Sequence, residues 1–596
     1  MKMILQPVRE RWRRGIRDFA KQAQLDHQFH HKKKVIRSAL YGDMGFDEDE
    51  MRLVESFYLQ RMRHISQMGL LHLVYPDARH SRFEHMLGVL HSLKDLLGAA
   101  QAGHFKDGLS EVRRKELRFA ALLHDIGHGP FSHTTETLLE LTGIDAILHL
   151  SADNEEEGKT KHHERRCRDM LLDLDVQLEN LGILSYGLSD YFRHQGLEPS
   201  VVAALVTSAR SHKPLNLLSG AFDVDKVDYF RRDAFFTGTR GGGVDTDAIR
   251  RGMRLVGNSD ALAIGFDKRM VVHLLHAMYG RIQVYAVTAF HPVVRTASAL
   301  LLVAGDLALR ALPADAAALI LVNLELMNDR ELLTVLDTAA RECEGADGAL
   351  LQRVLQRIEM RRLPKRLVTL SPQEFESVLG EAIPTLSQLG GRGRLPPLVY
   401  CRVSTIADGK YSQYLSEDST PDDLVIVEMT PADAWRSAGA EPSAKSELDS
   451  LCDILLCDES PGRPISLADW LDANSGPDSA KLIAESLQAY RRATWRGLVL
   501  VPATLKHRLA ELGLVQQFLK DLGRCLKQPE NCLPYVRSRG SKRVLDEVSR
   551  IVLDWRLRLE SQDQNRAARS ARPKAKVRSK KKPPSPRKGK AARKRR

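Results

Sequence analysis

Four histidine and aspartate side chains, spread over three segments, are the residues of this sequence best suited to hold a metal ion. His85 ends the run HSRFEH, and Asp225 lies within FDVDKVDYF. His124 and Asp125 are adjacent and open the run HDIGHGPFSH. Imidazole and carboxylate ligands together favour manganese, iron, cobalt, nickel or zinc over calcium. The set therefore predicts a divalent metal site with coordination positions left for water.

The adjacency of His124 and Asp125 restricts where such an ion can lie. Neighbouring side chains on a helix diverge by about 100°, so both can reach one ion only beyond the end of the helix. Gly127 and Pro130 break the helix close to that point. Because a metal-bound water has its pKa lowered toward neutrality and becomes a nucleophile, the set predicts hydrolysis of a phosphoester or phosphoanhydride.

Further histidines lie close in sequence to these ligands, and they are more numerous than one metal ion can use. They are His128, His133 and the His162-His163 pair. Histidines that titrate near neutral pH can protonate a leaving oxygen or neutralise charge on a phosphate. The alternative, that they are surface or supporting residues, stays open and is the preferred interpretation of His162.

Two cationic side chains flank the predicted ligands. Arg82 precedes His85 by three residues, and Lys226 directly follows Asp225. An arginine can hold two phosphate oxygens at once, whereas a lysine acts as a point charge. The pair predicts contacts with a phosphorylated substrate.

The ordered runs HSRFEH, HDIGHGPFSH, HHE and DVDKVDYFRRD together resemble the HD-domain phosphohydrolases. The resemblance is to the branch of deoxynucleoside triphosphate triphosphohydrolases that includes SAM-and-HD-domain dNTPases and bacterial dGTPases. It covers about residues 50–300 and continues through Arg281 and His291 in YGRIQVYAVTAFHP. It implies metal-dependent hydrolysis of a dNTP to a deoxynucleoside and tripolyphosphate.

The resemblance also implies roles for individual residues. They are metal ligands His85, His124, Asp125 and Asp225; catalytic residues His128, His133, His163 and Glu136; and substrate contacts Gln67, Arg82, Lys226, Tyr229, Asp233 and Arg281. In this scheme His133 protonates the leaving 5′ oxygen. Glu136, where many relatives have Asp, orients His128. On sequence grounds alone Tyr229 fits a core aromatic residue nearly as well.

A regulatory site is a further implication of the resemblance. Relatives that a guanine nucleotide activates use an Asp, Gln, Arg triad, and Glu55, Gln60 and Arg63 stand at the matching spacing. Glu replaces Asp here, although guanine recognition needs a carboxylate at a fixed distance from the base. A polar helix face explains the three residues equally well.

The elements that must position these residues are predicted from hydrophobic periodicity. Apolar residues recur at helical spacing through residues 47–310, the predicted HD domain, and through a helical extension at 311–389. Short runs rich in Val, Leu and Ile at 398–403, 424–427 and 497–501 predict strands in a smaller α/β unit, residues 390–564. We therefore expect a mainly α protein with an N-terminal extension at 1–46.

The charge of the 596-residue chain is concentrated at its C-terminus. The net charge is +13, but residues 565–596 hold 16 Lys or Arg and no Asp or Glu, so the other 564 residues carry −3. This tail has almost no large apolar residue and is predicted to be disordered. It could bind nucleic acid without sequence specificity, or act only as a solubility tail.

The amino-acid composition argues against several other classes of protein. Forty-three per cent hydrophobic content excludes global disorder, and seven cysteines without a CxxC pair argue against a disulfide framework or a thiolate zinc site. With neither a signal peptide nor a long apolar run, we expect a cytoplasmic protein without a membrane partner.

The leading interpretation is a dNTP or dGTP triphosphohydrolase that forms a homo-oligomer, with Mn, Fe, Zn, Co or Ni at the HD site and Mg on the triphosphate. GTP or dGTP is the candidate activator. Two alternatives stay open. One is an HD-domain phosphatase acting on nucleoside monophosphates or another phosphoester, and the other is a nucleotide-sensing, nucleic-acid-binding regulator.

Overall fold

A computed structural model describes most of the chain. The described residues are 2–24, 34–100, 109–142, 144, 147, 161–175, 178, 186–207, 217, 218, 220, 222–239, 244–258, 261–390, 398–415, 423–429, 445–457, 464–494, 496–528 and 542–554. The predicted tail at 565–596 lies outside them. The domain boundaries proposed from the sequence stay predictions.

The fold is mainly helical, as predicted. Helices up to residue 311 are α1 Lys2–Gln24, α2 Glu48–Glu55, α3 Phe57–Met62, α4 Arg82–Ala100, α5 Glu111–Leu123, α6 His133–Thr142, α7 His162–Leu171, α8 Leu188–His194, α9 Pro199–Val206, α10 Val224–Thr237, α11 Thr246–Gly252, α12 Val271–Val287 and α13 Pro292–Ala311. Later helices are α14 Ala314–Asn323, α15 Asp329–Glu342, α16 Ala346–Glu359, α17 Pro372–Leu379, α18 Ile383–Gly390, α19 Lys445–Asp453, α20 Leu467–Ser475, α21 Ser479–Thr494, α22 Ala503–Glu511, α23 Val515–Leu526 and α24 542–554.

Local capping fixes where the helices that carry the site begin. The Ser110 hydroxyl accepts the Arg113 N–H at the start of α5, and the Asp223 carboxylate accepts the Lys226 N–H at the start of α10. Such caps satisfy N–H groups that a helix start leaves without a partner. They place Asp225 in the first turn of α10.

The N-terminal helix α1 packs into the same core as the HD segment. Trp12 is fully buried, and its indole N–H donates to the Leu326 carbonyl at 2.7 Å. A buried indole needs such a partner. The extension predicted at 1–46 therefore contains a helix that is part of the folded body.

Two short strand pairs are present in the first half of the chain, one in the predicted N-terminal extension and one within the segment that we expected to be all helical. Strands β1 (Lys34–Ser38) and β2 (Gly42–Phe46) form a hairpin, and β3 (Met253–Asn258) pairs antiparallel with β4 (Ala261–Asp267). The expectation of helix throughout 47–310 was wrong at 253–267. In β3 the buried Met253 and Leu255 alternate with the half-buried Arg254 and Val256. This stretch with a period of two is too short to be recognised among helices.

The predicted C-terminal strands are present. They are β6 (Leu398–Arg402), β7 (Leu424–Glu428) and β10 (Gly497–Val501), in a four-stranded antiparallel sheet of order β5-β10-β7-β6. The fourth strand, β5 (Lys365–Leu370), comes from the extension that we expected to be helical. Two further strands, β8 (Leu455–Cys457) and β9 (Ile465–Ser466), extend the β3–β4 pair instead.

Strand β7 is buried on both faces, so the sheet joins two cores. Leu424 and Ile426 pack into the core of the HD segment, whereas Val425 and Val427 pack into the core of the C-terminal unit. Successive strand residues point to opposite faces, which explains this alternation. The helix that packs against β7 from the HD side is α13.

Helix α13 is the one helix among the described residues that is long and apolar enough to cross a membrane. Eighty-three per cent of its apolar window is buried inside the molecule. Burial of that extent is what a core helix shows, because a helix that is apolar all round must be covered on every side.

Candidate active site

The four predicted metal ligands converge at one point. His85 Nε2 lies 3.0 Å from Asp225 Oδ1 and 3.6 Å from Asp125 Oδ2. His124 Nε2 lies 3.5 Å from Asp125 Oδ1 and 3.7 Å from Asp225 Oδ1. Ligand atoms about 2 Å from a metal ion lie at such separations from one another. The spacing fits a single divalent ion.

The end of α5 explains how adjacent residues reach the same point. Leu123 is the last helical residue and His124 is the cap, so His124 and Asp125 leave the helix together. The His124 Nδ1 atom lies 2.9 Å from the Ala121 carbonyl, which holds a proton on Nδ1 and leaves the Nε2 lone pair free. Nε2 is buried without a hydrogen-bond partner in the described structure, as expected of a metal ligand.

A network that sequence reasoning missed orients His85. Its Nδ1 atom lies 2.8 Å from Oδ2 of Asp228, a fully buried carboxylate. Asp228 accepts from Arg232 Nε at 2.8 Å and from the Tyr41 hydroxyl at 2.7 Å. A carboxylate in this position fixes the imidazole ring and raises its basicity toward a metal. The spacing of Asp225 and Asp228, three residues apart on one helix face, was a signal that could have found it.

The charges around the ligands explain their pKa values. Burial alone would raise the pKa of Asp125, but the Arg82 guanidinium at 2.5 Å, His124 and His128 hold it well below its usual range. Burial would lower the pKa of His85, yet its bonds to two carboxylates raise that pKa to about 10. A bound divalent cation would offset the negative charge of these carboxylates in place of the proton on the His85 imidazole.

A second cluster forms beside the first around Glu136. The Glu136 Oε1 atom lies 2.6 Å from His163 Nδ1 and 3.2 Å from His128 Nδ1, and Oε2 lies 2.9 Å from His133 Nδ1. Glu136 was expected to orient His128, and the structure places two more imidazoles on the same carboxylate. Burial would raise the pKa of Glu136, but the three histidines hold it well below its usual range.

The three histidines differ in exposure. The His128 ring stacks on His163 with centroids 3.9 Å apart, and burial with the nearby Arg82 lowers the pKa of His128 to about 3. His133 is 65% exposed. His133 is therefore the member of the cluster most open to a bound molecule.

His162 has a different place from its neighbour. We preferred to interpret it as a surface or supporting residue, and it is not on the surface, because it is buried and paired with Glu325. Glu325 also pairs with Arg166 at 3.4 Å. His162 therefore links α7 to the segment after α14.

A cavity of about 360 Å³ joins the two clusters. The predicted site residues that line it are Gln67, Arg82, His85, Asp125, His128, His133, His163, Asp225, Lys226, Tyr229 and Asp233. Tyr229 thus faces a cavity, which favours the functional interpretation over a core aromatic residue. The Asp233 carboxylate is held by His80 at 2.9 Å.

The cations at the cavity are anchored by hydrogen bonds to neighbouring side chains. Arg82 donates from Nε to the Ser132 hydroxyl at 3.0 Å, and Lys226 Nζ donates to Asp223 at 2.6 Å. Arg281 is placed differently. It is not among the residues that line the cavity, and its interaction with Tyr229, which does line it, raises the pKa of Arg281. Its contact with a phosphate stays a prediction.

The predicted regulatory residues lie on α2, α3 and the residue after α3, away from the cavity. Arg63 donates to the Gln60 side chain at 2.9 Å and its guanidinium lies 3.5 Å above the Phe83 ring. Glu55 pairs with Lys34 of the β1–β2 hairpin instead. Two of the three residues therefore meet, and recognition of a nucleotide there stays a prediction.

Comparison with known protein families decides the identity of the fold around this site. Residues 82–230 match the family model of the HD domain. This chain carries an HD domain. The match begins at Arg82 and ends within α10, so it contains all four predicted metal ligands.

Several curated proteins are similar to the HD domain and its surroundings. An uncharacterised protein of Methanocaldococcus jannaschii is 30% identical over 45% of this chain and 48% of its own length. An uncharacterised protein of Bacillus subtilis is 32% identical over 42% of this chain and 49% of its own length. A deoxynucleoside triphosphate triphosphohydrolase SAMHD1 homologue of Dictyostelium discoideum is 27% identical over 36% of this chain and 38% of its own length.

These similarities confirm the resemblance to HD-domain phosphohydrolases of the dNTPase-like branch. The chain spans about half the length of the curated relatives that it matches, or less. A solved phosphohydrolase of Bacteroides thetaiotaomicron is 18% identical with a TM-score of 0.47, covering 79% of this chain and 100% of its own.

Proposed function

We propose that this HD-domain phosphohydrolase cleaves deoxynucleoside triphosphates to a deoxynucleoside and tripolyphosphate. The observation that carries the proposal is one cavity lined by three of the four metal ligands, three further histidines and two cations. When bound, a divalent ion supplies Lewis-acid polarisation of a phosphoryl oxygen and an activated water. His85, His124, Asp125 and Asp225 would hold it.

Arg82 and Lys226 contribute positive charge on either side of the ligand set. Both line the cavity, and both are fixed by hydrogen bonds to their neighbours. Fixed charges aimed at a reacting phosphate stabilise the charge that develops in the transition state and need no reorganisation. This pair favours a substrate with several phosphates.

His133 is the proposed donor of the proton to the leaving 5′ oxygen. Glu136 holds its Nδ1 at 2.9 Å, which leaves Nε2 to face the cavity. Burial lowers the pKa of both His133 and His128, in His128 to about 3, and the buried His128 is therefore less suited to this step than the exposed His133. Tyr229, Asp233 and Gln67 also line the cavity and are the proposed contacts of the sugar.

The rival functions predict different products. A nucleoside monophosphatase releases orthophosphate, whereas the proposed reaction releases tripolyphosphate. A nucleotide-sensing regulator that binds nucleic acid releases neither, and its complete metal-ligand set argues against it. Homo-oligomerisation, activation by a guanine nucleotide, nucleic-acid binding by the tail and a cytoplasmic location are further parts of this proposal.

The test is incubation of the purified full chain with each dNTP and NTP, with Mg²⁺ or Mn²⁺, followed by ion-exchange separation of the products. We expect tripolyphosphate and a deoxynucleoside from at least one dNTP, and their loss in Asp125→Ala. Orthophosphate as the first product, or full turnover by Asp125→Ala, contradicts the proposal. Repeating the assay with GTP or dGTP tests Gln60 and Arg63.

A further inference from the structure

A buried ion pair lies in the wall of the cavity. Arg295, near the start of α13, pairs with Glu428, the last residue of β7. Their side chains are only 5% and 4% exposed. Among the described residues that line the cavity, Glu428 is the one that the C-terminal sheet contributes.

The pleat of β7 explains why Glu428 reaches the cavity. Leu424 and Ile426 face the HD core, and Glu428 is the next residue on the same face of the strand. Its backbone is paired with Leu398 on one side and Leu498 on the other. The carboxylate is therefore carried by a strand that cannot shift along its neighbours.

Arg295 is held with similar rigidity. Its Nη1 atom donates to the Arg496 carbonyl at 2.6 Å, while Nη2 faces Glu428. Its Nε atom is buried without a hydrogen-bond partner among the described residues. The neighbouring wall is apolar, formed by Phe290, Val294 and Leu302. A donor and an acceptor thus stand side by side next to apolar side chains, with Ser298 also at the cavity wall.

An ion pair that merely ties the sheet to the helices is present elsewhere. Arg357 of α16 pairs with the buried Asp423 at 2.8 Å, and neither residue lines the cavity. Burying charges is costly unless they are well partnered. The position of Arg295 and Glu428 at a cavity wall therefore indicates a role in ligand binding in addition to the structural link between sheet and helices.

We propose that Arg295 and Glu428 form a subsite that reads the base of the nucleotide and selects a guanine-type base. The inference rests on the proposed function. Guanine is the DNA base whose edge presents two adjacent N–H donors beside a carbonyl acceptor. A carboxylate has two oxygens that can accept both N–H groups, and a guanidinium N–H can donate to the carbonyl. Phe290, Val294 and Leu302 offer apolar surface to the ring.

The first test needs no variant. Inosine lacks the exocyclic amino group of guanine, so dITP removes one hydrogen bond and leaves the base otherwise intact. For the wild-type full chain we expect kcat/KM for dGTP to exceed that for dITP by about tenfold or more, because a buried acceptor is left without its partner. Equal values for the two substrates overturn the proposal.

The second test compares Glu428→Gln with Asp423→Asn, a matched change to a buried, arginine-paired carboxylate outside the cavity. We expect the dGTP to dITP ratio to fall to within about threefold of one in Glu428→Gln and to be kept in Asp423→Asn. Thermal melting checks folding, and Glu428→Asp, which withdraws the carboxylate by one methylene, replaces Glu428→Gln if the latter does not fold. If a folded Glu428 variant keeps the dGTP to dITP ratio of the wild-type protein, the assignment is refuted.

Failure of the proposed function is distinguishable from failure of this inference. If no dNTP is hydrolysed, calorimetric titration of the same proteins with dGTP and dITP still tests whether this subsite binds the guanine base. Tighter binding of dGTP, lost in Glu428→Gln, supports it. Equal binding overturns it whatever the reaction proves to be.

Discussion

Gly88→Ala tests the network behind His85. Gly88 lies three residues after His85 on α4, and the Cβ of an alanine would lie 1.9 Å from Asp228 Oδ1 and 2.5 Å from Arg232 Nη2. Non-bonded heavy atoms normally stay about 3.5 Å apart. The carboxylate must therefore move by more than an ångström. A shift of that size breaks the 2.8 Å hydrogen bond between Asp228 and His85.

Two effects on the free energy of unfolding oppose each other in this variant. Alanine favours a helix over glycine by about 1 kcal/mol, whereas overpacking a core costs about 1–3 kcal/mol. We expect a net loss of about 0–2 kcal/mol. Loss of a residue that orients a metal ligand lowers metal affinity by about 10–100-fold, or about 1.4–2.8 kcal/mol.

The assay is titration of the metal-free protein with Mn²⁺ against a chelating dye, without nucleotide. Gly98→Ala is the matched control, because it lies on the same helix and an added Cβ meets nothing within 4 Å. It should gain stability and keep its affinity for Mn²⁺. Unchanged Mn²⁺ affinity in folded Gly88→Ala would refute the reasoning that Asp228 positions His85.

Four other expectations follow from the same contacts. Tyr41→Phe removes one hydrogen bond to the Asp228 carboxylate and should lower the free energy of unfolding by about 1.5–3 kcal/mol, measured by denaturant titration. Glu136→Gln should lower kcat about 10²-fold while Mn²⁺ affinity stays at the wild-type value. Because the pKa of His128 is lowered to about 3, it is neutral from pH 5 to 8, so His128→Asn should lower kcat without shifting the acidic limb of the pH profile. Deletion of 565–596 should abolish salt-sensitive retention on DNA and spare hydrolysis, and loss of both would contradict their separation.

The metal-ligand set could be predicted because chemistry restricts it to a few residue types in a recognisable order. His124 and Asp125 needed a helix end at that point, and Gly127 with Pro130 supplied it in the sequence. The strands at 398–402, 424–428 and 497–501 were predictable for a similar reason, since unbroken apolar runs of that length indicate buried strands.

Other features depend on contacts between distant segments. Tyr41 reaches Asp228 across 187 positions of the sequence, and no local pattern marks it as part of a metal site. Glu428 ends an apolar strand, where a charged residue ordinarily indicates only the edge of the core. Strand β5 at Lys365–Leu370 has exposed and half-buried residues over most of its length, so its hydrophobic pattern is weak.

The order of strands in the C-terminal sheet has a consequence for biosynthesis. Strand β10, residues Gly497–Val501, lies between β5 and β7, so the two earlier strands have no direct pairing with each other. A nascent chain that has emerged only as far as β7 has Glu428 available but lacks the strand that holds it on one side. The wall of the cavity therefore closes only after about five-sixths of the protein has left the ribosome. A stalled or truncated product that retains the whole HD segment should therefore still be a poor catalyst.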